Sequence, residues 1–75
     1  MILMWVLGQN KNFIEQITEV WIEPKDTSSE TTWSIMANNY VTLGKYADEE
    51  RAKEIIQNLY NAIKTGNKTF QMPEK

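Results

Sequence analysis

A helix with a marked start and end occurs once in this 75-residue chain, and what precedes it reads as sheet. That single switch limits the fold more than any other feature. It lies in Leu43-Gly44-Lys45-Tyr46-Ala47-Asp48-Glu49-Glu50-Arg51-Ala52-Lys53, where a strand pattern stops, a turn residue intervenes and a well-marked helix begins. Asp48 is a favoured helix N-cap, because its carboxylate can accept from the free N–H groups of the first turn. Glu49 and Glu50 then sit where the positive end of the helix dipole favours acids. Ala52, Ile55, Ile56, Leu59, Tyr60 and Ile63 fall on one helical stripe, and Arg51, Lys53, Glu54, Gln57, Asn58, Asn61 and Lys64 fall off it. With Gly66 as the left-handed residue after the last turn, the helix is expected from about Glu49 to about Thr65.

The strands read as follows. Met1 to Leu7 is apolar throughout and stops at the polar turn Gln9-Asn10-Lys11-Asn12, which predicts a strand covered on both faces. In Phe13 to Glu23, Phe13, Ile14, Ile17, Val20 and Trp21 fit helical spacing, but Glu19-Val20-Trp21-Ile22-Glu23 has the β-branched and aromatic enrichment of a strand. We assign strand with a kink near Gln16, ended by Pro24. Pro24 to Ser29 reads as a mobile loop. Glu30 to Ala37 alternates, with Trp33, Ile35 and Ala37 on one face and Thr32, Ser34 and Met36 on the other. Asn38-Asn39 predicts a tight turn, and Tyr40 to Tyr46 the hairpin partner, with a bulge at Gly44. After the helix, Phe70 and Met72 share one side of a tail that either forms a short edge strand or pins itself to the core. The expected fold is α+β: a small antiparallel sheet of four or five strands, with one C-terminal helix packed on one face.

A chain of this length makes a single domain, residues 1–75, and rarely gains more than about 3–5 kcal/mol of stability from its core without added support. It has no cysteine and no histidine, so a disulfide and the usual structural zinc sites are excluded, and no metal or cofactor is expected. Self-association is the remaining support. The net charge of −2 comes from acids and bases spread along the chain, unlike the basic footprint that phosphate neutralisation requires, and duplex DNA is disfavoured. The opening apolar run is too short for a membrane span and lacks the basic flank of a signal peptide, so a soluble, cytoplasmic protein is expected.

Leu43-Gly44-Lys45-Tyr46, the Asp48-Glu49-Glu50-Arg51-Ala52-Lys53 helix start, the closing Gly66 and the tail with Phe70 and Met72-Pro73 resemble a family of small uncharacterised proteins encoded by bacteriophages and prophages of Gram-positive bacteria. Members of that family also open with an apolar strand and a Gln-Asn-like turn, matched here by Met1 to Leu7 and Gln9-Asn10. The resemblance implies an α+β arrangement and a phage or prophage origin, hence the host cytoplasm. It implies no activity and transfers no catalytic residue.

Charged clusters have plain readings. Arg51 with Glu49, Glu50 and Glu54 reads as a solvated helix end. Glu15, Glu19 and Glu23, spaced by four, read as a charged edge that discourages strand pairing. The glycines form no phosphate-cradling loop, and Ser28, Ser29 and Ser34 have no base to activate them, so no enzyme machinery is visible.

Aromatic residues are the remaining signal. One helix covers one face of a sheet, yet Trp5, Trp21, Trp33, Tyr40 and Tyr46 exceed what that layer can hide. Trp5, Trp21, Trp33 and Tyr40 are therefore the candidate interaction face, since tryptophan and tyrosine dominate interface energetics. The expected function is non-catalytic binding of a host or phage protein, or homodimerisation through the uncovered face or an edge strand, with a tryptophan at or beside the contact. The alternative is weak single-stranded nucleic-acid binding by stacking on sheet aromatics, which would need a basic track beside the rings. Lys11, Lys25 and Lys45 are too few for such a track and are offset by Glu15, Glu19, Glu23, Asp26 and Glu30. The chain should accordingly show no retention on single-stranded oligonucleotides at physiological salt, measured by fluorescence anisotropy. Submicromolar binding that salt abolishes would reverse the ranking.

Overall fold

A computed structural model describes residues 4–75. Strands β1 (Met4–Leu7), β2 (Ile14–Ile17), β3 (Val20–Asp26), β4 (Thr31–Ala37) and β5 (Val41–Tyr46) precede helix α1 (Glu49–Lys64), and β6 (Thr69–Gln71) follows it. Met1 to Leu3 of the predicted first strand lie outside the described residues. The architecture is α+β, but the strands form two three-stranded sheets, ordered β2-β1-β6 and β3-β4-β5, in place of one antiparallel sheet. One pairing is parallel: Trp5, Val6 and Leu7 of β1 lie beside Thr69, Phe70 and Gln71 of β6. The connection between them runs through β2, β3, β4, β5 and α1, well beyond the about a dozen residues that a parallel neighbour needs to return in the same direction.

The predicted kink is a full break. Thr18 and Glu19 separate β2 from β3, and the Asn38 side chain holds the corner. Its Oδ1 accepts from Thr18 N (2.8 Å) and Thr18 Oγ1 (3.1 Å), while its Nδ2 donates to Gln16 O (2.8 Å). Pro24 does not end its strand; β3 runs on to Asp26 with Pro24 opposite Trp33. As an edge strand it tolerates the missing donor. The following residues make a hydroxyl-tied turn, in which Thr27 Oγ1 donates to Glu30 O at 2.9 Å and accepts from Glu30 N at 3.1 Å. The β4–β5 hairpin turns through Asn38 (φ 53°) and Tyr40 (φ 65°). The expected bulge is present: Ile35 faces Gly44 and Met36 faces Thr42, leaving Leu43 as the extra residue. A side chain at Gly44 would place its Cβ 2.7 Å from Tyr46 Oη, which only glycine avoids.

Asp48 occupies the N-cap position in extended backbone, but its carboxylate makes no capping bond; its carbonyl accepts from Ala52 N at 3.1 Å. The other end closes as expected. Gly66 (φ 87°) donates to Ile63 O at 3.0 Å and Asn67 N to Ala62 O at 2.9 Å, the paired bonds of a Schellman ending. The buried face of α1 is Ala52, Ile55, Leu59 and Ala62, rotated from the predicted stripe, so that Ile56 and Ile63 are half-buried and Tyr60 is 58% exposed. This face packs on β3, β4 and β5. One core joins it to Met4, Val6 and Ile17 of the first sheet, Ile35, Ala37, Leu43 and Tyr46 of the second, and Met72 of the tail.

The rotated helix face makes a quantitative expectation. Leu59→Ala should cost about 2–5 kcal/mol in denaturant melts, and Gln57→Ala and Tyr60→Ala under about 1 kcal/mol. A loss at Tyr60 equal to that at Leu59 would contradict the observed face.

Candidate interaction face

Register decides which aromatic side chains share a surface. Met4 and Val6 point into the core, so Trp5 and Leu7 point out. Their neighbours on the outer face are Gln16 and Ile14 on β2 and Thr69 and Gln71 on β6. Trp5 is 44% and Ile14 61% exposed. Together with Leu7, Phe70, Thr69 and Gln71 they line an open groove of about 460 Å³. None of the lining residues is charged. An apolar centre bordered by one uncharged amide and one hydroxyl is the composition expected at the middle of a protein contact.

The four predicted face residues are not brought together. Trp5 lies on the outer face of β2-β1-β6. Trp21 and Tyr40 belong to the outer side of the other sheet, where their rings meet edge to face at 5.6 Å and 88°. Trp33 has the opposite phase from Met36, the cross-strand neighbour of Trp21, and packs half-buried against the core beside Tyr46. The outer side of β3-β4-β5 also closes over itself. Met36 is buried there, with Thr42 Oγ1 donating to its Sδ at 3.3 Å, and the Lys25 ammonium lies 3.0 Å from Glu23 Oε2. Tyr40, 73% exposed, stands at its rim. Leu7, Ile14, Phe70, Thr69 and Gln71 were not among the predicted face residues. The i, i+2 spacing of Ile14 and Gln16 would have signalled an outward Ile14 only if the β1–β2 register were already known.

The other clusters take structural roles. Glu15 and Glu23 lie on different strands with Glu19 at the break between them, and among the described residues no group of three or more potential ligands is placed to hold a metal ion. Arg51 pairs with Glu54 and donates from Nε to Lys75 O at 2.8 Å, tying down the tail. No helix among the described residues is long and apolar enough to cross a membrane.

The groove depends on the tail that forms its β6 wall. Met72 N donates to Leu7 O at 3.0 Å, Lys11 pairs with Glu74 at 3.0 Å, and Tyr46 Oη donates to Pro73 O at 2.7 Å. Burial pushes the Tyr46 phenol up to about 12, partly opposed by the Arg51 charge. Comparison with known proteins finds no family model, no curated protein and no solved structure that matches this chain.

Tyr46→Phe should cost about 0.5–1.5 kcal/mol at neutral pH by leaving Pro73 O without its donor. The phenol keeps its proton to higher pH in the folded state than in the unfolded one. The Tyr46 contribution is thus complete below about pH 10 and is lost as pH rises toward about 12. Stability curves of the two proteins should therefore converge over that window in urea melts; a constant gap would disprove the assignment.

Proposed function

We propose that this chain is a non-catalytic binding protein of phage or prophage origin, working in the host cytoplasm through protein–protein contact or self-association. The outer face of β2-β1-β6 is the surface we assign to that contact. The observation that carries this reading is the charge-free groove in which Trp5 and Ile14 stand exposed, with Leu7 and the half-buried Phe70 beside them. Large exposed side chains grouped in this way are uncommon on soluble monomers unless a partner covers them. Origin and compartment rest on the resemblance of the Leu43–Lys53 stretch and the tail.

The lining residues suit contact and not chemistry, since indole, alkyl, phenyl and amide groups exchange no protons near neutral pH and Thr69 is the sole hydroxyl among them. Base stacking on Trp5 ranks second, because no cation lines the groove beside the indole.

A benzophenone amino acid placed at Ile14 should give a discrete protein adduct on irradiation in the host cell. The same group at Lys53, on the exposed side of α1, should give none. Trp5→Ser should reduce the Ile14 adduct at least about tenfold, the loss expected for truncating an aromatic anchor. Equal labelling at both positions would remove the case for this face.

A further inference from the structure

Two of the four sheet edges are closed by identifiable devices, and a third is closed in part. Gln9 closes β5: its main-chain N donates to Leu43 O at 2.8 Å, its Nε2 donates to Lys45 O at 3.0 Å, and its Oε1 accepts from Lys45 N at 2.8 Å. The Asn38 amide occupies Gln16 O and Thr18 N at the end of β2. On β3, Pro24 and the charged Glu23, Lys25 and Asp26 deter pairing. The β6 edge has no such guard. Lys68 O accepts from Trp5 N at 2.9 Å and Met72 N donates to Leu7 O, so strand alternation turns Phe70 toward β1. The N–H and C=O groups of Thr69 and Gln71 therefore face outward. Among the described residues no segment takes them up.

We propose that a second copy of this chain pairs here, β6 against β6, antiparallel about a two-fold axis at Phe70. This rests on the reading of β2-β1-β6 as the contact sheet and names the partner at its edge, leaving the Trp5 groove of each copy open. Such an axis sets Thr69 of one copy opposite Gln71 of the other, so both outward residues exchange main-chain bonds with an uncharged neighbour. Phe70, half-buried at the core margin, meets its own symmetry mate at the closer, non-hydrogen-bonded spacing, where aromatic pairs contribute most. Lys68 precedes the strand, so antiparallel pairing keeps the two Lys68 ammonium groups at opposite ends of it, whereas parallel pairing would set them side by side. The product is a continuous sheet of both copies, β2-β1-β6-β6-β1-β2. The two Trp5 grooves then run side by side, roughly 14 Å apart at about 4.8 Å per strand spacing.

The register makes the test specific. Thr69 and Gln71 are both exposed, so charges placed there leave the core untouched. T69K/Q71K puts lysine opposite lysine twice across the axis, and T69K/Q71E puts lysine opposite glutamate twice. Sedimentation over a concentration series should show a monomer–dimer equilibrium in the unmodified chain. It should be weakened roughly tenfold by T69K/Q71K and restored by T69K/Q71E. Far-UV circular dichroism of both variants should match that of the parent, showing that each folds. Amide exchange should find Thr69 and Gln71 protected only at concentrations where the dimer forms, and Phe70 protected throughout. A chain that stays monomeric at millimolar concentration with freely exchanging Thr69 and Gln71 amides would overturn this inference. If Ile14 still labelled another protein in the cell, the wider reading of the face would stand. A dimer equally tolerant of both charge variants would place the contact elsewhere and overturn β6 pairing.

Discussion

A main-chain donor or acceptor left unpaired inside a protein costs about as much as a lost hydrogen bond, and every place where a sheet breaks leaves such groups behind. Here two side-chain amides take the place of absent strands. Asn38 receives Thr18 N and donates to Gln16 O, where β2 gives way to β3. Gln9 both accepts from and donates to Lys45, where β5 has been displaced by its bulge, and its Nε2 also reaches Glu74 O at 2.8 Å. An amide can do this because it carries a donor and an acceptor side by side, as a peptide group does. Aspartate or glutamate at either position would supply only acceptors. The two short sheets can therefore turn about a common core without leaving their ends unpaired.

With the corners held, one helix packs on the inner side of β3-β4-β5, and its buried residues share one core with Met4, Val6 and Ile17 of the other sheet. Ala52 and Ala62, buried on α1, bring the helix close, while Ile55 and Leu59 fill the space between. Met72 enters from the tail, fully buried, and Tyr46 reaches across to the carbonyl of the residue after it. Tail and core are thus one construction, and β6 is held along β1 by groups that also complete the interior. The groove inherits its rigidity from this arrangement, since its β6 wall flanks the buried Met72.

The features readable in the sequence were those set by neighbours along the chain. The helix with its Gly66 ending, the polar turn at Gln9 to Asn12, the Asn38 turn and the bulge at Gly44 all depend on residues within a few positions of each other. The rest depends on pairing across long separations. The parallel union of β1 and β6 joins the two ends of the chain, and a run as short as Thr69–Gln71 has too few residues to announce a partner. The helix face was misplaced by the width of one residue because Tyr60, apolar in a count, keeps its hydroxyl in water, whereas Ala62 is small enough to lie against the sheet. Pro24 misled in the same way: it stops a central strand but not an edge, and edge position is settled by the order of the sheet. The tryptophans were legible as a surplus and not as a surface. Alternation within one strand sets which side a residue takes, but the relation of Trp5 to Trp21 is set by the break at Thr18 and Glu19.

The two outer surfaces show what the fold itself demands. Behind β4, Ser34 and Met36 are already buried within the chain itself. Behind β1, threonine in place of Ile14 would leave the β1–β2 ladder intact, because exposed strand positions accept β-branched polar residues as readily as apolar ones. Nor does the core call for an indole at position 5, since Met4 and Val6 on either side supply the inward contacts of β1. Trp5 and Ile14 are thus apolar where folding gives no reason for it, in a small domain that gains nothing from exposing them to water. The covering surface we propose would supply the missing reason. The unguarded edge of β6 lies directly beside them, so a strand added there would extend the same sheet and place its own outward side chains along the groove.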